Sequence, residues 1–92
     1  MAGVTPTTRL ERRVLGFCNR IRKELGKKPR KTIEKGTYAG ARTCPIALTI
    51  GDRASLTSNL HVGGHTYECP QYVFTFMERF DSGRLSKFLK TS

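Results

Sequence analysis

In the first third of the chain, apolar residues recur every three or four positions, the spacing that places side chains on one face of an α-helix. Thr8 and Glu11 have the form of a capping box, in which a hydroxyl and a carboxylate satisfy free amides of the first turn. Gly26 is well placed to end the helix. The pattern therefore predicts an amphipathic helix over residues 8–25, whose apolar stripe contains Leu10, Val14, Phe17, Cys18, Ile21 and Leu25.

Residues 45–50 form a short apolar segment that begins with proline and is followed by Gly51. Proline at the first helical position and glycine just beyond the last are typical of a short helix. Ile46, Leu48 and Ile50 also alternate along the segment, so a β-strand is the competing interpretation. We predict a short buried helix here and leave the strand open as the alternative.

The last third of the chain contains a predicted hairpin followed by a predicted helix. Over residues 56–69, apolar and polar positions alternate on both sides of Gly63 and Gly64, a pair suited to a tight turn. A helical spacing returns over residues 70–80, where Pro70 suits the first turn of a second long helix.

Residues 84–90 add a short amphipathic tail helix, whereas residues 26–43 show no apolar periodicity. We interpret residues 26–43 as an exposed basic loop that is mobile without a partner. The elements predict an α+β fold in which two main helices pack on a small β-hairpin, with a short buried helix and a short C-terminal helix. We expect residues 1–92 to form one domain, because a chain this short supports a single thin core.

Basic residues strongly outnumber acidic ones, with seventeen Lys and Arg against seven Asp and Glu and a formal net charge of +10. Between Arg9 and Lys35, eleven basic residues face three acidic ones, so this stretch alone carries +8. A charge distribution this uneven indicates an electrostatic partner, such as nucleic acid, an anionic surface or an acidic protein.

The predicted first helix places cations opposite its apolar stripe, and the basic loop follows directly. Cations that neutralise phosphates release counterions, which favours binding to DNA or RNA without any sequence code. We therefore hypothesise a non-enzymatic nucleic-acid-binding accessory protein. The predicted contact residues are Arg9, Arg12, Arg13, Arg20, Lys23, Lys27, Lys28, Arg30 and Lys31.

The alternative hypothesis is a protein-interaction module that docks on an acidic host protein and modulates it. Such a module would use the same basic face, or an aromatic surface around Tyr67, Tyr72 and Phe74.

Two kinds of chemical site were tested against the pattern of cysteines and histidines. Cys44, His61, His65 and Cys69 offer the thiolate and imidazole ligands that zinc prefers, but their spacing is not that of a common zinc finger. A two-residue hairpin turn would place His61 and His65 on opposite faces, whereas a three-residue turn would bring them together. Cys44 with either histidine could also form a nucleophile and its base, although no orienting acid is apparent. We expect no metal, no cofactor and no catalytic site.

The remaining features bear on location. Three widely spaced cysteines do not form the pattern of a secreted disulfide framework, so reduced thiols are expected. No apolar run approaches the roughly 20 residues that a membrane span needs, and the first residues lack the regions of a secretory signal. These observations predict a cytoplasmic protein that does not enter the membrane.

Four short segments together resemble a known group of proteins. They are FCNRIRKELG at residues 17–26, the pair Lys35 and Gly36, CPIAL at residues 44–48 and FDSG at residues 80–83. The combination is similar to small uncharacterised proteins encoded by actinobacteriophages and actinobacteria. This group has no assigned activity, so the resemblance implies no functional residue. It does imply a phage or phage-derived accessory gene active in the host cytoplasm, and products of such genes often bind host DNA, RNA or a host protein.

Overall fold

A computed structural model describes residues 3–38 and 40–90 of the chain. Within these residues, three α-helices and two small antiparallel sheets form an α+β fold, which confirms the predicted fold class. None of these helices is both long enough and apolar enough to cross a membrane. The elements are α1 (Arg9–Glu24), α2 (Pro45–Ile50), α3 (Gln71–Asp81), β1 (Gly3–Val4), β2 (Ile33–Glu34), β3 (Ser55–Leu56), β4 (Leu60–Val62) and β5 (His65–Tyr67), followed by a 3-10 turn (Ser86–Phe88).

Helix α1 begins at the predicted capping residues. The hydroxyl oxygen of Thr8 accepts a hydrogen bond from the amide of Glu11 at 3.2 Å, and the Glu11 carboxylate accepts one from the amide of Thr7 at 2.9 Å. The carboxylate thus reaches one residue further back than in the standard capping box. The predicted apolar stripe faces the core, with Val14 and Ile21 almost fully buried.

The segment after Cys44 is a helix, so the competing strand interpretation is wrong. The sulfur of Cys44 accepts a hydrogen bond from the amide of Ala47 at 3.4 Å, which satisfies an amide of the first turn. Gly51 follows the helix with a φ of 79°, a conformation that favours glycine. The helix is buried almost all round, which explains why its apolar residues show no single stripe.

The segment over residues 26–43 is not wholly the exposed loop that the sequence predicts. Strand β2 lies within them and pairs with β1, with Val4 opposite Ile33, and Ile33 is completely buried. The side chain of Asn19 donates to the carbonyl of Arg30 at 2.9 Å and accepts from its amide at 2.8 Å. A two-residue strand is too short to show a period, and its partner is distant in sequence, so no local signal could reveal it.

The predicted hairpin exists as part of a three-stranded sheet. Strands β4 and β5 are joined by a two-residue turn at Gly63 and Gly64, which have φ values of 59° and 77°. Positive φ at both positions is the geometry that glycine permits in tight hairpins. Strand β3 pairs with the other edge of β4, where Leu56 lies opposite Leu60 and both are buried.

The short C-terminal helix predicted over residues 84–90 is present as a 3-10 helix that covers only Ser86–Phe88. The amide of Gly36 donates to the carbonyl of Phe88 at 2.8 Å, and the amide of Lys90 donates to the carbonyl of Gly36 at 2.7 Å. A Cβ atom at Gly36 would collide with the backbone of Thr43, so this close approach requires glycine. These two hydrogen bonds hold the backbone after Phe88 in an extended conformation, which ends the 3-10 helix.

The carboxylate of Glu11 links the start of α1 to the end of the chain. It is buried, and it accepts a hydrogen bond from Lys87 Nζ at 2.8 Å in addition to the bond from Thr7. Burial acts to raise the pKa of Glu11, but the Lys87 ammonium and the Thr7 amide outweigh burial and hold that pKa below its ordinary value.

We expect Glu11→Gln to destabilise the fold at neutral pH and to have little effect in acid. A carboxyl group with a lowered pKa in the folded chain stabilises the fold above its unfolded-state pKa, and this contribution is lost as the pH falls through the folded-state value. Urea unfolding at about pH 7 should show a loss of about 1–2 kcal/mol in the variant. The difference should become smaller as the pH falls through the lowered pKa of Glu11. A difference that stays equally large from neutral to acid pH would contradict this role of the ionised carboxylate.

Candidate nucleic-acid interface

Four of the predicted contact residues lie in a row on α1. Arg9, Arg13, Arg20 and Lys23 follow one another at helical spacing, and all are exposed on the side opposite the buried stripe. At 1.5 Å per residue, the row from Arg9 to Lys23 is about 21 Å long. This length corresponds to about six phosphates of one DNA strand at 3.4 Å each along the duplex axis. We call these four residues the α1 cationic face.

The side chains of the α1 cationic face are free to meet an outside anion. Among residues 3–38 and 40–90, no carboxylate forms an ion pair with any of them. The guanidinium of Arg13 lies over the ring of Tyr72, 4.4 Å from its centre, and that of Arg20 lies 5.4 Å from the centre of the Phe17 ring. Stacking on a ring orients a guanidinium and leaves its N–H groups available to phosphate oxygens.

Gly16 occupies the middle of the α1 cationic face, between Arg13 and Arg20. It is exposed, and a Cβ atom added there would meet nothing within 4 Å, so no contact within the described fold requires glycine. Glycine in a helix interior costs up to about 1 kcal/mol relative to alanine. Its effect is to leave the backbone bare at this point, which lets a partner approach the helix closely. Gly16 is not among the residues predicted from the sequence to form the interface, although a glycine inside a strongly periodic helix is itself a signal.

Three further predicted contact residues remain exposed, one on α1 itself and two in the segment that follows it. The guanidinium of Arg12 donates to the carbonyl of Thr7 at 3.0 Å and keeps its charge at the surface. Lys28 and Lys31 are exposed in the segment that follows α1. Because the Asn19 side chain holds this segment at Arg30, both lysines lie beside the helix rather than on a free loop.

Arg30 serves the fold, unlike Lys28 and Lys31 on its segment. Its Nε donates to the carbonyl of Thr49 at 2.7 Å, and its Nη1 lies 3.8 Å from a carboxylate oxygen of Glu34. Carbonyls in the last turn of a helix lack partners within the helix, so Arg30 satisfies the C-terminal end of α2. We therefore leave Arg30 out of the interface.

Two other cations near the end of α1 are also engaged. Arg22, which the sequence analysis did not single out, donates from Nη1 to the carbonyl of Ile50 at 2.7 Å. Burial, together with the nearby positive charge of Arg30, lowers the pKa of Arg22. The ammonium of Lys27 lies 3.4 Å from the carboxylate of Asp52, so its charge is partly neutralised.

The four residues of the zinc hypothesis do not form a ligand set. Cys44 is buried at the start of α2, whereas His61 and His65 are exposed, and Cys69 is half-buried. The hairpin has the two-residue turn, with His61 opposite Thr66 and Val62 opposite His65. The two histidine side chains therefore point to opposite faces of the hairpin. Within the part of the chain that the structure describes, no three His, Cys, Asp or Glu side chains are placed to hold a metal ion.

The buried thiols are poorly suited to nucleophilic attack. Burial raises the pKa of both Cys18 and Cys44, so each is held as a neutral thiol. The sulfur of Cys44 already accepts the amide hydrogen of Ala47, which is a structural use.

The aromatic surface of the alternative hypothesis is only partly available. Tyr67, Tyr72 and Phe74 are each half-buried, and the Arg13 guanidinium lies over the ring of Tyr72. Among the described residues, Tyr38 is an exposed large apolar side chain, and its ring centre lies 5.2 Å from that of the buried Phe80, with the two rings tilted by 45°.

Comparison with known proteins gives no independent guide to the role of this interface. No family model matches the sequence, and no curated protein or solved structure is similar enough to count as a match.

Proposed function

We propose that the protein is a non-enzymatic accessory protein that binds nucleic acid along α1. The observation that carries this proposal is the α1 cationic face, a row of four exposed cations about 21 Å long. Phosphates along a nucleic-acid strand form a matching row of negative charges, and their neutralisation releases condensed counterions. Arg12, Lys28 and Lys31 extend the positive surface at the edge of the row.

The composition of the α1 cationic face suits oxyanions such as phosphate. Three of its four cations are arginines, whose planar guanidinium donates paired hydrogen bonds to phosphate and to carboxylate oxygens. Because Gly16 has no side chain, a nucleic-acid strand lying along the row can come close to the helix backbone at its centre. The exposed Glu24 borders the row one turn after Arg20, and cations predominate along the rest of it. A predominantly positive row suits a polymer of uniform charge better than the mixed surface of a protein.

Fluorescence anisotropy with labelled duplex DNA, single-stranded DNA and RNA tests the proposal. We expect binding to at least one of them to persist at about 150 mM salt and to weaken linearly with salt on logarithmic axes. For duplex DNA, four to seven phosphate contacts give a slope of about −4 to −6. Binding that disappears at about 150 mM salt, with no preference among the three nucleic acids, would mean that the positive charge gives only non-specific attraction. Retention of a stoichiometric protein from nuclease-treated host lysate would then favour the acidic-partner alternative.

A further inference from the structure

A second positively charged site lies away from the α1 cationic face. It is a shallow groove of about 440 Å³ between the turn that follows α2 and the β4–β5 hairpin. Its lining includes Arg42, Arg53, His61 and His65, all of which are exposed. Within residues 3–38 and 40–90, neither arginine has an ion pair. Two unpaired guanidiniums converging on one concave surface favour an anionic ligand.

The groove is also rich in hydrogen-bond donors of the main chain. Asp52, Arg53, Gly63 and Gly64 line it, and none of their amides has an acceptor among the described residues. Successive free amides in turns form concavities that bind anions. The hydroxyl of Thr66, which also lines the groove, lies 3.1 Å from Nδ1 of His61 and adds a further polar group.

One carboxylate borders the groove and must be weighed against these donors. Asp52 belongs to the lining, but its side chain lies 3.4 Å from Lys27 Nζ, so its negative charge is offset by a neighbouring cation. The groove therefore keeps a positive balance from Arg42 and Arg53.

The backbone at Arg53 supports a role for this side chain outside the fold. Arg53 has a φ of 58°, in the left-handed region that disfavours residues with a Cβ atom, and it follows Asp52 at 57°. Aspartate tolerates this region, and glycine would fit it without strain. An arginine held there places a cation at the edge of the groove at a conformational cost, a pattern found at functional sites.

We infer that this groove binds a phosphate group, either as free inorganic phosphate or as the phosphate of a nucleotide. The arginines supply charge and paired donors, and the free amides supply further donors. Its volume lies within the range of small-ligand sites, which is sufficient for a mononucleotide. The inference stands on residues outside the α1 cationic face and does not depend on the proposed function.

Titration of nitrogen-15-labelled protein with inorganic phosphate, and separately with adenosine monophosphate, tests the site by NMR. We expect amide shifts to concentrate at residues 52–55 and 61–66 and to saturate with at least one of the two ligands, while chloride at equal ionic strength leaves them unchanged. Saturation by phosphate and nucleotide alike indicates recognition of the phosphate alone. Tighter binding of the nucleotide indicates that the base also occupies the groove.

Three variants separate the site from the fold. Arg42→Gln combined with Arg53→Gly should lower the affinity at least tenfold without lowering Tm, because glycine relieves the left-handed backbone at position 53. Asp52→Asn should raise the affinity several-fold, since it removes the carboxylate and asparagine tolerates the same backbone. Arg84→Gln, an exposed arginine outside the groove, is the matched control and should leave binding unchanged.

Several results would overturn the inference. They are shifts confined to α1, shifts that persist in the Arg42→Gln and Arg53→Gly double variant, and weaker binding by Asp52→Asn. If the unaltered protein shows no amide shifts in the groove while nucleic acid still binds α1, this site alone is refuted. Phosphate binding in the groove without nucleic-acid binding to α1 would refute the proposed function alone.

Discussion

Reversal of charge at Arg13 and Arg20 is expected to weaken nucleic-acid binding at least a hundredfold. Each Arg→Glu change removes a phosphate contact and introduces a repulsive negative charge in the middle of the α1 cationic face. A loss of about 1.4 kcal/mol per position is sufficient for a hundredfold effect of the pair. The fold should survive, because both side chains are exposed, and loss of the Arg13 contact with Tyr72 costs about 1 kcal/mol or less.

The matched control is the double variant Arg84→Glu and Lys90→Glu, which changes the net charge by the same amount. Both residues are exposed in the segment that follows α3, outside the α1 cationic face. Anisotropy should show a much smaller loss for this variant, and the salt slope should become shallower by about two units only when Arg13 and Arg20 are changed. Equal losses in the two double variants would show that only net charge matters, and they would remove α1 as the interface.

Replacement of Phe88 by alanine is expected to lower the free energy of unfolding by about 3–5 kcal/mol. Although Phe88 stands near the end of the chain, its side chain is completely buried and contacts the ring of Phe76 edge-on at 5.2 Å between centres. Its carbonyl also accepts the amide of Gly36. Loss of the ring therefore leaves a cavity. It also weakens the attachment of the C-terminal segment, in which Lys87 forms an ion pair with Glu11. For a small domain this is a large fraction of the total stability.

Urea unfolding followed by circular dichroism measures this effect. Leu89→Ala is the control, because the neighbouring side chain is only half-buried and should cost clearly less. A double-mutant cycle with Phe76→Ala should show coupling between the two rings of about 0.5–1.5 kcal/mol. A loss below about 1 kcal/mol for Phe88→Ala would mean that the C-terminal turn is peripheral to the core.

The elements that the sequence predicts well are those whose signals lie close together in the chain. Helix α1 has a cap, a long periodic stripe and a terminal glycine, and it was predicted to within a residue at each end. The turn at Gly63 and Gly64 requires two residues with positive φ, and glycine satisfies this at both. Strands β1 and β2 escaped prediction because each is two residues long and their pairing joins Val4 to Ile33 across the length of α1.

The candidate site shows the same division. The exposure of Arg9, Arg13, Arg20 and Lys23 follows from the helical period of α1, which the sequence contains. The role of Arg30 does not, because its acceptor at Thr49 lies nineteen positions away. Arg42 and Arg53 are isolated cations in the sequence and come together only where the turn after α2 meets the hairpin.

The amount of positive charge, its concentration between Arg9 and Lys35 and the helix that carries the exposed row all follow from the order of residues along the chain. Which cations remain free and which are used within the fold depends on long-range contacts, as the pairs of Arg30 with Glu34 and Lys87 with Glu11 illustrate. The two kinds of information differ in range along the chain. Helical periodicity and capping act over a few residues, whereas the pairing and burial of a charged side chain depend on groups that folding brings in from anywhere along the chain.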